Sequence, residues 1–202
     1  MGDYEFEVKY YISDPDAIRQ KALDLGAELI QPRTHEYNLR LDTPDGELSR
    51  KNQVLRLRQD SDAHLTYKGP GKEQNGVRVR QEFEFIVSDF LATQKLFEQL
   101  GFHVLMIYEK FRTTYDLDKV HLTLDQMPYG NFIEIEGPDA DSVQKLNEKL
   151  ELNWEARIPV SYTVLFEQVK IRLGLSFRDL IFDNFENLNL MPEDLGVTPA
   201  DG

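Results

Sequence analysis

The chain has 202 residues, 41% of them hydrophobic, which suits one medium-sized domain able to bury a real core. Its 36 acidic residues against 23 basic ones leave a net charge of -13, the wrong balance for a general nucleic-acid binder, which neutralises phosphates with excess Lys and Arg. The lack of cysteine removes disulfides and thiolate zinc sites and fits a reducing cytosol, and no apolar run approaches the roughly eighteen residues that span a bilayer, so a cytoplasmic protein with no membrane or secretory address is expected.

The first alternation, Glu5-Phe6-Glu7-Val8-Lys9, predicts a strand. Ser13-Asp14-Pro15 then leads into a helix over Ala17–Leu25, with Asp14 as N-cap and Gly26 as the stop. Strands follow at 36–42, 53–58, 63–68 and 77–87, separated by Thr43-Pro44-Asp45-Gly46 and Gly69-Pro70-Gly71. Glu82-Phe83-Glu84-Phe85 leads through Ser88 into a helix at Phe90–Leu100 ended by Gly101. After strands at 108–116 and 120–125, Glu134-Ile135-Glu136-Gly137 leads through Pro138-Asp139 into a helix near Ser142–Leu150. Three passages of E-x-E strand, turn and helix suggest an internal duplication. Tyr162–Leu173 reads as a helix stopped by Gly174, and Ser176-Phe177-Arg178-Asp179 opens a second short helix with a capping-box pattern. After Phe182 the periodicity fades into an acidic tail, Asp183, Glu186, Glu193, Asp194 and Asp201, expected to be partly disordered. The apolar stripe of the C-terminal helices, with Leu165, Val169 and Leu180, reads as packing on the sheet exterior, a homodimer contact being the alternative. Many strands and few helices make the class α+β.

Residues two apart in a strand share a face, so each strand carries two stripes. One is apolar: Phe6 and Val8, Leu55 and Leu57, Leu65 and Tyr67, Phe83 and Phe85, Leu122 and Leu124, Ile133 and Ile135. The other holds Glu5, Glu7 and Lys9; Arg56 and Arg58; Lys68; Arg78, Arg80, Glu82 and Glu84; Lys110 and Arg112; Asp125; Glu134 and Glu136. Any sheet with one wet face alternates in this way. Here, however, like charges sit side by side in strand after strand, and such neighbours repel, more so in an enclosed space. A sheet closed with this stripe inward makes a charged tunnel, with helices over the apolar exterior. Clustered carboxylates suit Mg²⁺ or Mn²⁺, and clustered Arg and Lys clamp phosphoryl oxygens. The four histidines have no ligand spacing, and Gly69-Pro70-Gly71-Lys72 is no P-loop.

At these positions the sequence resembles the CYTH family, the triphosphate tunnel metalloenzymes named for class IV adenylate cyclases and thiamine triphosphatases. Glu5-x-Glu7-x-Lys9 matches the family's E-x-E-x-K signature. The later blocks follow in the family's order: Leu55-Arg56-Leu57-Arg58, Leu65-Thr66-Tyr67-Lys68-Gly69-Pro70, Arg80-Gln81-Glu82-Phe83-Glu84, Lys110-x-Arg112, Leu124-Asp125, Phe132 through Gly137, and Ser161-Tyr162. The resemblance implies a closed eight-stranded antiparallel β-barrel over residues 1–165, with 166–202 as a helical extension and acidic tail of the same globular unit. It further implies a metal site of Glu5, Glu7, Asp125, Glu134 and Glu136, and phosphate contacts from Lys9, Arg56, Arg58, Lys68, Arg80, Lys110 and Arg112. Glu5, Glu7, Lys9 and Lys110 carry the catalytic role, supported by Glu82, Glu84, Arg78 and Tyr162. The expected activity is Mg²⁺- or Mn²⁺-dependent hydrolysis of a triphosphate such as ATP, tripolyphosphate or thiamine triphosphate. An adenylate cyclase and a non-catalytic triphosphate binder are the alternatives.

Overall fold

The computed structural model describes residues 3–202 and turns the two-residue alternation into nine strands. They are β1 (Asp3–Ile12), β2 (Glu28–Asp42), β3 (Val54–Gln59), β4 (Ala63–Lys68), β5 (Lys72–Gln74), β6 (Val77–Val87), β7 (His103–Leu117), β8 (Val120–Met127) and β9 (Gly130–Gly137). Every neighbouring pair is antiparallel, and the order β1-β9-β8-β7-β2-β3-β4-β6 returns to β1. This closes a ring of eight strands, with the short β5 lying along β6. The closure is fixed by register: Arg80 of β6 sits opposite Glu5 of β1, and Glu82 sits opposite Lys68 of β4.

Six helices surround the ring: α1 (Pro15–Asp24), α2 (Glu47–Arg50), α3 (Phe90–Gln99), α4 (Ala140–Lys149), α5 (Tyr162–Leu173) and α6 (Pro192–Leu195). The longer ones start where a short polar side chain satisfies an orphan N–H: Asp14 accepts from Ala17, Asp89 from Ala92, Asp139 from Ser142 and Ser161 from Val164. Gly174 ends α5 at φ 66, a left-handed conformation that suits glycine. No described helix is long and apolar enough to cross a membrane.

The outward apolar stripe is buried under these helices in two places. Val8, Tyr10, Leu122, Ile133 and Ile135 pack against Ile18 and Ala22 of α1 and Val143 and Leu146 of α4. Leu39, Leu41 and Leu57 lie under Phe90 and Phe97 of α3. A third cluster is on the inward row: Met106, Tyr108 and Phe132, in line with Lys110 and Glu134, meet Leu165, Phe166 and Val169 of α5, joined by Leu180, Phe185 and Leu195. Each such burial contributes about 1.5–3 kcal/mol. The exterior of β6 departs from the expectation of full helical cover, since Phe83 is 45% and Phe85 56% exposed.

Three elements differ from what the sequence predicts. β2 begins at Glu28 rather than at residue 36, because register shifts against β7 around Gln31 and Thr34 break the alternation that marks a strand. Ser176–Asp179 forms no helix. The first half of β7 runs beyond β8, leaving backbone groups of Ile107 and Glu109 open, and the chain after α5 satisfies them. Leu180 N–H donates to the Ile107 carbonyl, Glu109 N–H donates to the Leu180 carbonyl, and the Asp179 carboxylate accepts from Ile107 N–H, each at 2.9 Å. The acidic tail is likewise docked. Ala200 N–H donates to the Tyr11 carbonyl, and the Asp201 carboxylate accepts from the N–H groups of Ser13 and Asp14 just beyond β1.

Candidate functional site

Alternation along each strand sends the charged stripe into the ring, where it lines a cavity of about 460 Å³. Fourteen of the charged positions read from the sequence reach it: Glu5, Glu7 and Lys9 from β1; Arg56 and Arg58 from β3; Lys68 from β4; Arg78, Arg80, Glu82 and Glu84 from β6; Lys110 and Arg112 from β7; Glu134 and Glu136 from β9. Tyr162 closes in from the first turn of α5. With Arg40, nine basic and six acidic side chains line the cavity, so an acidic chain encloses a basic interior suited to an anion.

On one side the carboxylates are compensated. Asp125 lies in the wall, fully engaged: it accepts from Lys110 Nζ at 3.0 Å, Arg112 Nε at 2.7 Å and Nη2 at 2.5 Å, and the Tyr162 hydroxyl at 2.9 Å. Glu134 takes Lys9 at 3.0 Å and Arg112 at 2.5 Å. Burial alone would raise Glu134, but Lys9 and Arg112 hold it well below the usual carboxylate range. Glu36, which burial would also raise, is brought down to about 2 by Lys110, Arg112 and Arg58. Glu84, placed between Arg56 and Arg58 at 3.1 Å each, falls to about 2 by the same balance.

On the other side carboxylates crowd one another. Glu5 is raised by burial and by its close neighbour Glu82, against the pull of Lys68 at 3.0 Å. Glu136 is pushed up to about 8 by burial and by the neighbouring Glu5. Lys68 also contacts Glu82 at 2.5 Å, and among the described residues Glu7 has only Arg78, at 3.7 Å. Thus one lysine faces a group of acids that compete for a proton.

These donors fit a hard divalent ion. Among the described residues no three acidic or imidazole groups form a ready-made ligating set. Mg²⁺, however, is commonly held by one or two carboxylates together with substrate phosphates and water rather than by an all-protein cage. The Glu5–Glu136 pair, half-buried, adjacent and mutually repelling, matches that need. Asp125 and Glu134, also expected at the metal, have their oxygens paired with Lys9, Lys110, Arg112 and the Tyr162 hydroxyl in this structure.

Two further expected residues of the wall are also engaged with the fold. Arg80 donates Nε and Nη2 to the Gly69 carbonyl and Nη2 to that of Asn52, so it ties two loops to the cavity wall. Tyr162 is buried with its ring 4.2 Å beneath Lys9 Nζ, and its phenol pKa is raised far by burial and by Asp125. Two residues of β2 were not singled out from the sequence: Glu36, which sits beneath three cations at 3.5–3.9 Å, and Arg40. The available signal was the stripe Glu36-x-Asn38-x-Arg40-x-Asp42, whose alternate positions Tyr37, Leu39 and Leu41 are apolar.

The CYTH domain model matches residues 3–162. Adenylate cyclase CyaB of Aeromonas hydrophila is 26% identical over 193 residues, covering 93% of this chain and 90% of that protein. Among solved structures, protein PH1819 of Pyrococcus horikoshii is 30% identical with a TM-score of 0.67, covering 81% of this chain and 98% of its own. A candidate adenylate cyclase from Vibrio parahaemolyticus shares the fold at a TM-score of 0.74 and 21% identity, over 83% of this chain and 99% of that one. So does HpAC1 of Hippeastrum, a candidate adenylyl cyclase with a dominant triphosphatase activity, at 0.61 and 20%, over 81% and 95% of the two chains.

Proposed function

We propose that this chain, which belongs to the CYTH domain family, is a divalent-metal-dependent phosphohydrolase acting on the triphosphate group of an organic or inorganic triphosphate. The observation that carries this reading is the make-up of the cavity wall. Apart from its charges and two hydroxyl residues, the wall has only Val54, Tyr4, Tyr108 and Tyr162. Such a lining, with basic side chains in excess of acidic ones, grips a polyanion.

In hydrolysis a water attacks the terminal phosphorus, the bridging P–O bond breaks, and orthophosphate leaves a shortened chain. Lys9, Lys110 and Arg112, held by Glu134 and Asp125, present fixed positive charge to the phosphoryl oxygens. Arg56, Arg58 and Lys68 line the rest of the path. Glu7, with one loose partner, has oxygens free to orient the water. Glu5 and Glu136 would hold Mg²⁺ or Mn²⁺, which would supply charge neutralisation at the phosphates.

The second reading, an adenylate cyclase in which the ribose 3′-hydroxyl attacks the α-phosphorus of ATP, is favoured by the alignment with CyaB over 193 residues. Product analysis separates the two. Purified protein with Mg²⁺ or Mn²⁺ is given tripolyphosphate, ATP and thiamine triphosphate. Orthophosphate supports hydrolysis, cyclic AMP with diphosphate supports the cyclase, and binding without turnover leaves a triphosphate-binding protein.

A further inference from the structure

Resting on the reading that the lumen takes a triphosphate, we infer that Arg40 grips the phosphoryl group nearest α5 and so sets how long a phosphate chain must be to bind tightly. Arg40 is half-buried on the inner face of β2, in the cavity wall. The other cavity bases except Arg80 each have a carboxylate within 4 Å, and Arg80 is engaged by backbone carbonyls. Among the described residues no carboxylate pairs with Arg40. Its Nη1 donates to Thr163 Oγ1 at 2.7 Å and its Nη2 to Ser49 Oγ at 3.3 Å, both neutral hydroxyls.

The nearest candidate acid on its own strand, Asp42, is already engaged. It accepts from the N–H groups of Thr43, Leu48 and Ser49 and from the Ser49 hydroxyl, which hold α2 in place. A guanidinium has five N–H donors, so Arg40 keeps three unspent as well as its full charge. It is also the direct cross-strand partner of Arg56, and two guanidiniums at that separation repel unless an anion lies between them. Leaving a cation half-buried without a counter-charge is costly, and a tetrahedral phosphoryl group between two planar forks would offset that cost with bidentate contacts.

The position on the wall gives the group its identity. Arg40 touches the first turn of α5 through Thr163, the same turn that places Tyr162 against Lys9 and Asp125. A phosphoryl group there is at the end of its chain, because α5 blocks further passage. A chain whose other phosphoryl groups are held by Lys9, Lys110 and Arg112 must be long enough to reach it, which separates triphosphates from diphosphates.

Calorimetric titration of the full chain with inorganic tripolyphosphate and with diphosphate, in the presence of a metal chelator, tests this without relying on turnover. Arg40→Gln is expected to weaken tripolyphosphate by about tenfold or more and diphosphate by less than about threefold, the loss of one charge-assisted hydrogen-bonded contact. Arg40→Lys restores part of the difference. Where tripolyphosphate is turned over, the loss falls on KM with kcat nearly unchanged. Unchanged tripolyphosphate affinity, or equal losses for both anions, overturns the inference, and so does a wild-type chain that binds neither. A wild type that binds tripolyphosphate but releases no orthophosphate defeats the hydrolase reading alone, and Arg40 is then judged on the ratio of affinities.

Discussion

The two sides of the lumen are built from the same residue types yet hold their charges in opposite ways. Around Asp125, Glu134 and Glu36, each carboxylate has at least two cations close by, and Glu36 and Glu134 lie well below their ordinary pKa. Around Glu5 and Glu136 the acids outnumber the single lysine, and both lie above their ordinary value. The first side is complete as it stands and acts as a rigid frame for cations. The second is short of positive charge, which is where a divalent ion would be gained. Rigidity and unmet charge are thus divided between two walls of one ring, joined through β1 and β9, whose alternating residues supply Lys9 and Glu134 to one wall and Glu5 and Glu136 to the other.

The largest expected effect comes from breaking the unmet side. Glu5→Gln or Glu136→Gln should lower kcat/KM for tripolyphosphate by about a thousandfold or more and remove the response to added Mg²⁺. Glu136→Gln should melt no lower than wild type in chelator, because it removes a repulsion, whereas Glu5→Gln also gives up the Lys68 contact at 3.0 Å. Activity that survives in both would refute the metal assignment. Breaking the complete side should do the reverse to stability. Asp125→Ala leaves the buried Lys110 and the half-buried Arg112 with one counter-charge fewer, and urea unfolding should register a loss of about 3–5 kcal/mol. A loss below about 1 kcal/mol would mean that Glu36 and Glu134 compensate on their own.

The pH dependence sharpens the contrast, because the two sides have opposite signs. Glu36 sits at about 2 in the fold and near the ordinary 4.5 when unfolded, so its stabilisation is present above 4.5 and is lost as pH falls towards 2. At about 1.4 kcal/mol per pH unit between those two values, that limb amounts to up to about 3 kcal/mol. Glu136 sits at about 8, so the fold binds its proton more tightly than the unfolded chain does, and stability in chelator falls as pH rises from about 4.5 to 8. The metal-free protein should therefore be most stable near pH 4 to 5, and Glu136→Gln should flatten the upper limb while leaving the lower one. Urea midpoints measured from pH 3 to 9 in chelator, with a single monotonic trend in wild type, would contradict the division into two walls.

Much of this architecture is legible in the sequence alone. Like charges repeated two apart, from Glu5-x-Glu7 to Glu134-x-Glu136, point to an enclosed charged face, and the ring has it. The separate part played by Asp125 is not legible there. Whether a carboxylate meets a metal or a guanidinium and an ammonium depends on who stands opposite, and that is set by the pairing of Arg112 with Asp125 across β7 and β8, not by local pattern. The inner row of β2 could have been found from alternation, but the irregular pairing at Gln31 and Thr34 hides how far that strand extends. The docked tail is invisible for a related reason. Asp201 and Leu180 bind where other strands end early, and such open edges exist only once the strands have been paired.

The smallest predicted effect tests whether α5 belongs to the rigid wall or merely covers it. Tyr162→Phe keeps the ring under Lys9 at 4.2 Å and removes only the hydroxyl that donates to Asp125 at 2.9 Å. A buried hydrogen bond to a charged acceptor contributes about 1.5–3 kcal/mol, but Asp125 retains Lys110 and Arg112, so a net loss of about 1 kcal/mol is expected. In a chain of this length that corresponds to a fall of about 2–4 °C in melting temperature. If α5 is part of the frame, the loss should shrink or vanish in an Asp125→Ala background, since the two groups act as one unit. Full additivity of the two changes would make Tyr162 a packing residue, and the cations of the complete wall would then owe their positions to Asp125 alone.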